Sequence, residues 1–172
     1  MSSKPNAYEY GEYFGKYIAL VPDGDFNPTL QEITTTSHSL LTSISEEQSL
    51  HRYAPGKWSI RESWLHVADT ERIMCYRALR FARGDEKELA GFDQDPYVAL
   101  SEAQARSWRS IVEEYFAVRQ ASLAFFRNVP ADAWMRKGIA NGNPFTVRAL
   151  GYTIAGHDLH HRKLLREKYL GQ

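Results

Sequence analysis

Two histidines near the carboxyl end of the sequence, His157 and His161, have a spacing that suits metal binding. Residues four apart lie on one face of a helix, so two imidazoles at this spacing can bind the same ion. Both histidines continue an apolar stripe that recurs every three or four positions, formed by Val147, Leu150, Ile154 and Leu164. The stripe predicts that they face the core. A metal ion would satisfy both buried rings, and the alternative is a pair of core histidines hydrogen-bonded to Tyr or Asp side chains.

A third ligand has to come from another part of the chain. His51 lies beside a Pro-Gly break and His38 lies in a polar Thr/Ser stretch, which favours solvent for both. His160 falls beside the apolar stripe and is expected at its edge. His66 lies in the middle of a long helical segment, at the border of its apolar face. Periodicity therefore permits His66 to face the core but does not require it.

Carboxylates near these histidines have several possible roles. Asp69, Glu71 and Arg72 form a charged group that is typical of an exposed or interhelical salt-bridge face. Asp93 lies in a long connection, where a turn or the mouth of a pocket is expected. Metal-bound imidazoles usually donate their second N–H to an oxygen, which makes Asp69, Asp93 and Asp158 candidates for that contact. None of them is assigned as a general base.

The elements that must position these residues are helices. Capping motifs, proline and glycine mark their ends. The predicted long helices run from Asp25 or Asn27 to Ile44, from Ser59 to Gly84, from Ser101 to about Phe126, and from Pro144 or Thr146 to about Lys168. A short helix begins at Ser45. We predict a long irregular connection over residues 84–100, a loop with one helical turn over residues 128–144, and no strand.

An all-α four-helix bundle is the economical fold, because each long helix has one apolar stripe to bury. The long connection between the second and third helices would allow them to run parallel. We expect a single domain over residues 1–172. In it, an N-terminal arm of about residues 1–24 packs on the bundle through a series of tyrosines: Tyr8, Tyr10, Tyr13 and Tyr17.

Composition narrows the function classes. The chain has 172 residues, with 21 Lys and Arg balanced by 21 Asp and Glu. This balance argues against binding to nucleic acid or an anionic membrane, which usually requires a basic excess. The sequence has neither an apolar run long enough to span a membrane nor the apolar core of a signal peptide, so we expect a cytoplasmic protein. Cys75 is the single cysteine and is expected to be an inert core thiol.

An ordered set of motifs resembles a known family. The similarity runs from about Tyr10 to the C-terminus, nearly the whole chain, and its motifs occur at Tyr53–Ile60, Trp64–Glu71, Arg77–Arg83, Gly91–Asp95 and Gly156–His161. Together they resemble the DinB-like superfamily and, within it, the YfiT branch of metal-dependent hydrolases. The resemblance implies a four-helix bundle with up-down-down-up topology, and a homodimer as the assembly. It also implies one divalent metal ion, nickel or zinc, held by His66, His157 and His161.

Three protein ligands leave at least one coordination position open, which is typical of a catalytic site. The first hypothesis is a metal-dependent hydrolase that activates a bound water. The second, which the family resemblance implies, is a thiol S-transferase that conjugates a low-molecular-weight thiol such as bacillithiol or mycothiol to a small-molecule substrate. The third is a non-catalytic metal-binding module of the stress response. We rank them in that order by small margins, and no sequence feature separates the first hypothesis from the second.

Overall fold

A computed structural model describes residues 4–172. The first three residues of the predicted N-terminal arm lie outside this range. The helices are α1 (Gly15–Ile18), α2 (Phe26–Thr42), α3 (Ile60–Ala82), α4 (Gln94–Leu100), α5 (Trp108–Arg127) and α6 (Val147–Leu164), and the strands are β1 (Lys137–Ala140) and β2 (Asn143–Thr146). A wide helical turn over residues 165–170 extends α6. None of the described helices is long and apolar enough to cross a membrane.

Capping residues mark where the long helices begin. The predicted capping box of α3 is present: the Glu62 backbone N–H donates to Ser59 Oγ at 3.2 Å, and the Ser59 N–H donates to Glu62 Oε2 at 2.7 Å. Thr146 Oγ1 accepts from the Ala149 N–H at 3.0 Å and begins α6. The caps of α3 and α6 satisfy N–H groups that the first helical turn leaves without partners. Asp25 occupies the cap position of α2.

The start of α5 differs from the prediction. Ser101 does not cap a long helix; its hydroxyl donates back to the Val98 carbonyl at 2.8 Å. Glu102 then has a left-handed backbone with φ of 50°. α5 is instead capped by Ser107, whose Oγ accepts from the Ser110 N–H at 3.2 Å. The predicted box was wrong because Ser101 ends the short helix α4, which lies inside the connection predicted to be irregular.

The prediction of no strand was also wrong. β1 and β2 form an antiparallel hairpin in which Ala140 pairs with Asn143 across a two-residue turn. Asn141 and Gly142 both have positive φ, 52° and 69°. This is the backbone that a tight hairpin turn requires, and Asn-Gly is its usual sequence. Leu89 adds to the hairpin edge by donating its N–H to the Ile139 carbonyl at 2.9 Å.

Contacts at opposite ends of the helices establish their directions. α2 and α5 are antiparallel, because the start of each helix lies against the end of the other. The rings of Phe26 and Phe126 are 5.2 Å apart. At the other end, Trp108 Nε1 donates to the Leu41 carbonyl at 3.0 Å.

α3 runs parallel to α5. Near the start of both helices, the rings of Trp64 and Tyr115 are 5.7 Å apart. One to two turns later, Arg119 Nε donates to Glu71 Oε1 at 2.8 Å. The order of contacts is the same along both helices, so the long connection carries the chain back to the end from which α3 began.

α6 runs parallel to α2, which completes the bundle. Phe26 packs on Tyr152 with ring centroids 5.1 Å apart, and Ser37 Oγ donates to Asp158 Oδ1 at 2.7 Å. The directions of α2, α3, α5 and α6 are therefore up, down, down and up. This confirms the predicted four-helix bundle and its parallel second and third helices.

Candidate metal centre

Three buried histidines from two helices converge on one point of the bundle. His157 and His161 come from successive turns of α6, and His66 comes from α3; each is 5–7% exposed. Nε2 of His157 lies 3.2 Å from Nε2 of His66 and 3.2 Å from Nε2 of His161. The ligand atoms of all three residues lie within 4.8 Å of one another. The antiparallel packing of α3 on α6 brings together the two histidines that the spacing indicated and His66, which the family resemblance implied.

Two hydroxyl groups orient the outer nitrogens of these rings. A hydrogen bond of 3.0 Å joins Ser63 Oγ to Nδ1 of His161, and one of 3.5 Å joins Thr70 Oγ1 to Nδ1 of His66. Sequence reasoning missed both hydroxyls, since it looked for carboxylates. Their positions three residues before and four after His66 place them on its helical face, and that spacing was the available signal.

Burial keeps the imidazoles neutral. Desolvation lowers the pKa of His66 to about 4. The pKa values of His157 and His161 are also well below the ordinary value, first through burial and then through the neighbouring imidazoles. A neutral imidazole carries one N–H. We assign it to Nδ1 of His66 and His161, where a hydroxyl can accept it, so that Nε2 presents its lone pair.

The residues present fit a divalent metal ion. Three imidazole nitrogens at bond lengths of about 2.0–2.1 Å in a tetrahedral arrangement would be about 3.3–3.4 Å apart. The two observed separations of 3.2 Å are close to this value. One hydrogen on Nε2 of His157 could bridge to only one neighbour, so hydrogen bonding alone leaves the three convergent nitrogens incompletely satisfied. Imidazole is a ligand that suits zinc, nickel, copper and iron.

A cleft of about 450 Å³ opens onto the histidines. His66 and His157 lie in its wall, whereas His161 does not line it. The other lining residues are Tyr13, Phe14, Tyr17, Thr70, Met74, Arg77, Phe92, Asp93, Gln94, Ala140, Asn141, Asn143 and Thr153. They come from the N-terminal segment, α3, the long connection, the hairpin and α6. The cleft is large enough for a small organic molecule.

The N-terminal segment packs against the site at one close approach. The Tyr17 ring lies 5.3 Å from the rings of both His157 and His160, edge to face. Gly156 permits this contact, because a Cβ at that position would overlap the Tyr17 carbonyl oxygen. The half-buried His160 remains at the edge of the site, as predicted. The Trp58 ring packs on another of the three histidines, with its centroid 5.0 Å from that of His66.

A buried glutamate anchors the start of the same segment. Glu9 is 1% exposed and accepts from Thr146 Oγ1 at 2.9 Å and from Arg148 Nε at 3.1 Å. Burial alone would raise the pKa of Glu9, but the Arg148 guanidinium and the Asn6 backbone N–H hold it below its ordinary value. Of the tyrosine series, Tyr17 is buried, Tyr10 pairs with Phe145, and Tyr8 is exposed. The arm is therefore fixed to the beginning of α6.

The remaining candidate residues lie elsewhere. His38 and His51 are exposed. Cys75 is half-buried, and burial raises the pKa of its thiol. Asp69 pairs with Arg72 at 3.0 Å, as expected for residues of a salt-bridge face. Asp93 is exposed and caps α4 by accepting from the Asp95 N–H at 3.1 Å, as expected for a turn residue. It also lines the cleft, as expected for a residue at the mouth of a pocket.

Glu71 takes the interhelical of its two predicted alternatives, whereas Asp158 differs from expectation, because both belong to a buried ionic layer. Arg119, fully buried, donates to Glu71 Oε1 at 2.8 Å and to Asp158 Oδ2 at 2.9 Å. Asp158 also accepts from the hydroxyls of Tyr115 and Ser37. Glu71 is therefore no part of an exposed face, and Asp158 directs its hydrogen bonds to this layer instead of a histidine. We call these five residues the ionic layer.

The chain is similar to known proteins over most of its length. A family model described as the DinB superfamily matches residues 29–165. The structure of YfiT from Bacillus subtilis, described as a probable metal-dependent hydrolase with an unusual four-helix bundle topology, matches with a TM-score of 0.67 and 17% identity, over 96% of this chain and 93% of that one. A mycothiol-dependent maleylpyruvate isomerase matches with a TM-score of 0.65 and 13% identity, over 88% and 60%. No curated protein sequence matches. These two structures share the fold.

Proposed function

Because this chain belongs to the DinB superfamily, we propose that it is an enzyme that uses one divalent metal ion, nickel or zinc, to act on a small molecule. His66, His157 and His161 are the proposed ligands. The observation that carries the proposal is the convergence of the Nε2 atoms of three neutral imidazoles, two pairs of them 3.2 Å apart, beside a cleft that two of the histidines line. Three ligands and an open approach are typical of catalytic sites, whereas structural zinc sites have four ligands.

The side chains around the histidines have distinct roles in this proposal. Ser63 and Thr70 hold the His161 and His66 rings in the orientation that points Nε2 inward. Tyr17 packs on His157 and Trp58 packs on His66, and in this proposal both rings limit the access of bulk water. The substrate enters through the cleft. A divalent ion there would act as a Lewis acid that lowers the pKa of a bound water or thiol.

Hydrolysis is the first reaction we propose, with water as the nucleophile. The description of YfiT as a probable metal-dependent hydrolase supports this choice. Transfer of a low-molecular-weight thiol is the alternative, supported by the thiol dependence of the maleylpyruvate isomerase that shares the fold. A non-catalytic metal-binding protein of the stress response is the third possibility. The open cleft favours the first two, because a metal store needs no room for a substrate.

Metal content tests the ligand set directly. Protein made without a histidine tag should carry about one equivalent of nickel or zinc by mass spectrometry. His66→Ala, His157→Ala and His161→Ala should each lose it, while His51→Ala, which removes an exposed histidine outside the site, should retain it. If the wild type remains empty after incubation with both metals, the histidines are core residues and the proposed enzyme is refuted.

Two measurements separate the proposed reactions. Hydrolysis of members of an ester, amide and phosphoester panel by metal-loaded protein, lost in His157→Ala, would support the hydrolase. A change in the d–d spectrum of cobalt-loaded protein on addition of thiols would support the transferase. Bound metal with neither response would leave the non-catalytic protein.

We further propose a cytoplasmic homodimer. The proposal of a dimer rests on the family resemblance, and the single cysteine fits a reducing compartment. Light scattering coupled to size exclusion would test the dimer, and a mass of 19.7 kDa would refute it.

A further inference from the structure

Among the residues that the structure describes, Arg77 is a buried cation without an anionic partner. The described residues include four buried arginines. Three of them pair with a carboxylate: Arg61 with Glu46, Arg119 with Glu71, and Arg148 with Glu9. Arg77, which is 4% exposed, has only two hydrogen-bond partners in the part of the chain that the structure describes. They are the Ala90 carbonyl at 2.9 Å and the Met74 sulfur at 3.6 Å, both of them uncharged.

This arrangement leaves donors and charge available. A guanidinium has five N–H donors and remains protonated in proteins. Burial lowers the pKa of Arg77, which reflects the cost of holding the charge away from water with no anion beside it. A buried guanidinium with free donors matches a planar carboxylate, which it can bind through two parallel hydrogen bonds.

Arg77 lies in the wall of the cleft that contains the histidine site. His66, Thr70, Met74 and Arg77 follow one another on α3 at intervals of four, four and three residues, so they share one helical face. Eleven residues of helix separate the Cα atoms of His66 and Arg77 by about 16 Å. Met74 and the Phe92 ring, whose centroid is 5.8 Å from the Arg77 guanidinium carbon, make this part of the cleft apolar. The cleft therefore has histidines toward one end and a cation toward the other.

We propose that Arg77 is a specificity-determining residue that binds a carboxylate of the substrate while the reacting group lies at the histidines. The inference rests on the proposed function and adds a substrate class to it: an elongated small molecule with a terminal carboxylate and an apolar middle. Arg77 is the one Lys or Arg among the described residues that line the cleft, and Asp93 lies at its mouth. One cation balances a monoanion, whereas a phosphate dianion would need a second positive charge.

A neighbouring depression provides the alternative location for an anion. Its volume is about 410 Å³, and Arg77 and Phe92 line it as well as the cleft. None of the three histidines lines it, so an anion bound there would not be linked to the metal site. The test must distinguish these two locations.

Thiols with a carboxylate or a hydroxyl at the far end provide the probe. The experiment uses cobalt-loaded protein and measures, by absorption, the affinity of mercaptoalkanoic acids and mercaptoalkanols of equal and increasing chain length. We expect one length at which the acid binds about 10- to 100-fold more tightly than the alcohol, since the sulfur reaches the metal and the carboxylate reaches Arg77. The ratio of acid affinity to alcohol affinity should fall to about one in Arg77→Gln. In Arg77→Lys it should fall only in part, because the charge remains.

Arg80→Gln is the matched control. It removes the same charge from the next turn of α3, but Arg80 pairs with Asp85 and lies outside the cleft, so the ratio should not change. An unchanged ratio in Arg77→Gln would overturn the inference. So would a wild-type ratio of about one at every length, a result that does not depend on the folding of any variant. Carboxylates that bind metal-free protein equally well at every length would place the anion in the depression and also overturn it. Protein that binds no cobalt would refute the proposed function itself, and this inference with it.

Discussion

Removing the charge of the buried Arg119 should destabilise the fold far more than removing the charge of an exposed arginine. In the ionic layer, Arg119 is fully buried between Glu71, which is 2% exposed, and Asp158, which is 0% exposed. Arg119→Met would leave both carboxylates buried without their cation. Breaking a buried pair in this way costs about 3–5 kcal/mol. For a domain of this size, that corresponds to a fall in melting temperature of about 6–20 °C.

Urea and thermal unfolding, followed by circular dichroism, would measure the loss. Arg109→Met is the matched control, because Arg109 makes the same kind of pair with Glu113 on the surface, where the two side chains are 86% and 63% exposed. The control should change stability by less than about 0.5 kcal/mol.

A triple variant tests the cause of the loss. Adding Glu71→Gln and Asp158→Asn to Arg119→Met removes the unpaired charges while keeping similar volumes, so at least half of the lost stability should return. The reasoning is refuted if Arg119→Met is no more destabilising than Arg109→Met. It is also refuted if the triple variant is as unstable as the single one, since the loss would then come from packing.

Three further predictions concern the site. Ser63→Ala should weaken metal affinity about 10- to 100-fold in a competition titration, because a ring nitrogen of one ligand loses the hydroxyl 3.0 Å away; unchanged affinity would contradict that orienting role. In metal-free protein, His66 should lower the free energy of unfolding by about 3 kcal/mol as pH falls from about 6.5 to about 4. The reason is that the unfolded state takes up a proton in this range, whereas the native imidazole, with its pKa lowered to about 4, does not. His66→Gln should flatten that part of the stability profile in urea unfolding. Gly156→Ala should lower the free energy of unfolding by about 1–3 kcal/mol, because the methyl group would displace the Tyr17 backbone. In an exposed helix the same substitution would raise stability. A more stable variant would show that the N-terminal arm moves aside without cost.

The sequence predicted the bundle because helix signals are local. Ser59 and Glu62 form their capping box within four residues, and the apolar stripe of α6 can be counted along the chain. The short elements in the connections were missed for the opposite reason. The hairpin depends on two residues of positive φ, Asn141 and Gly142, and its strands have only four residues each. Asn-Gly is a hairpin signal, but the segment around it predicts a loop that leads to a helix beginning at Pro144 or Thr146, and only Thr146 caps α6.

The site was only partly predictable from spacing. His157 and His161 are related by one helical turn, which periodicity reveals. His66 is 91 residues from His157, and its contact depends on how α3 packs against α6; the family resemblance supplied it where periodicity left it open. The partners of Glu71 and Asp158 could not be predicted, because a charged residue on a helix has the same sequence signal whether its partner is solvent or a buried arginine.

The separation between the histidines also bears on when the protein could acquire a metal ion. α3 is synthesised before α6, and about 90 residues separate His66 from His157. A site that needs all three rings does not exist until these distant helices have met, and long-range contacts of this kind form late in folding. An ion bound by all three histidines would therefore be loaded into an assembled bundle and would not serve as the nucleus around which the chain folds.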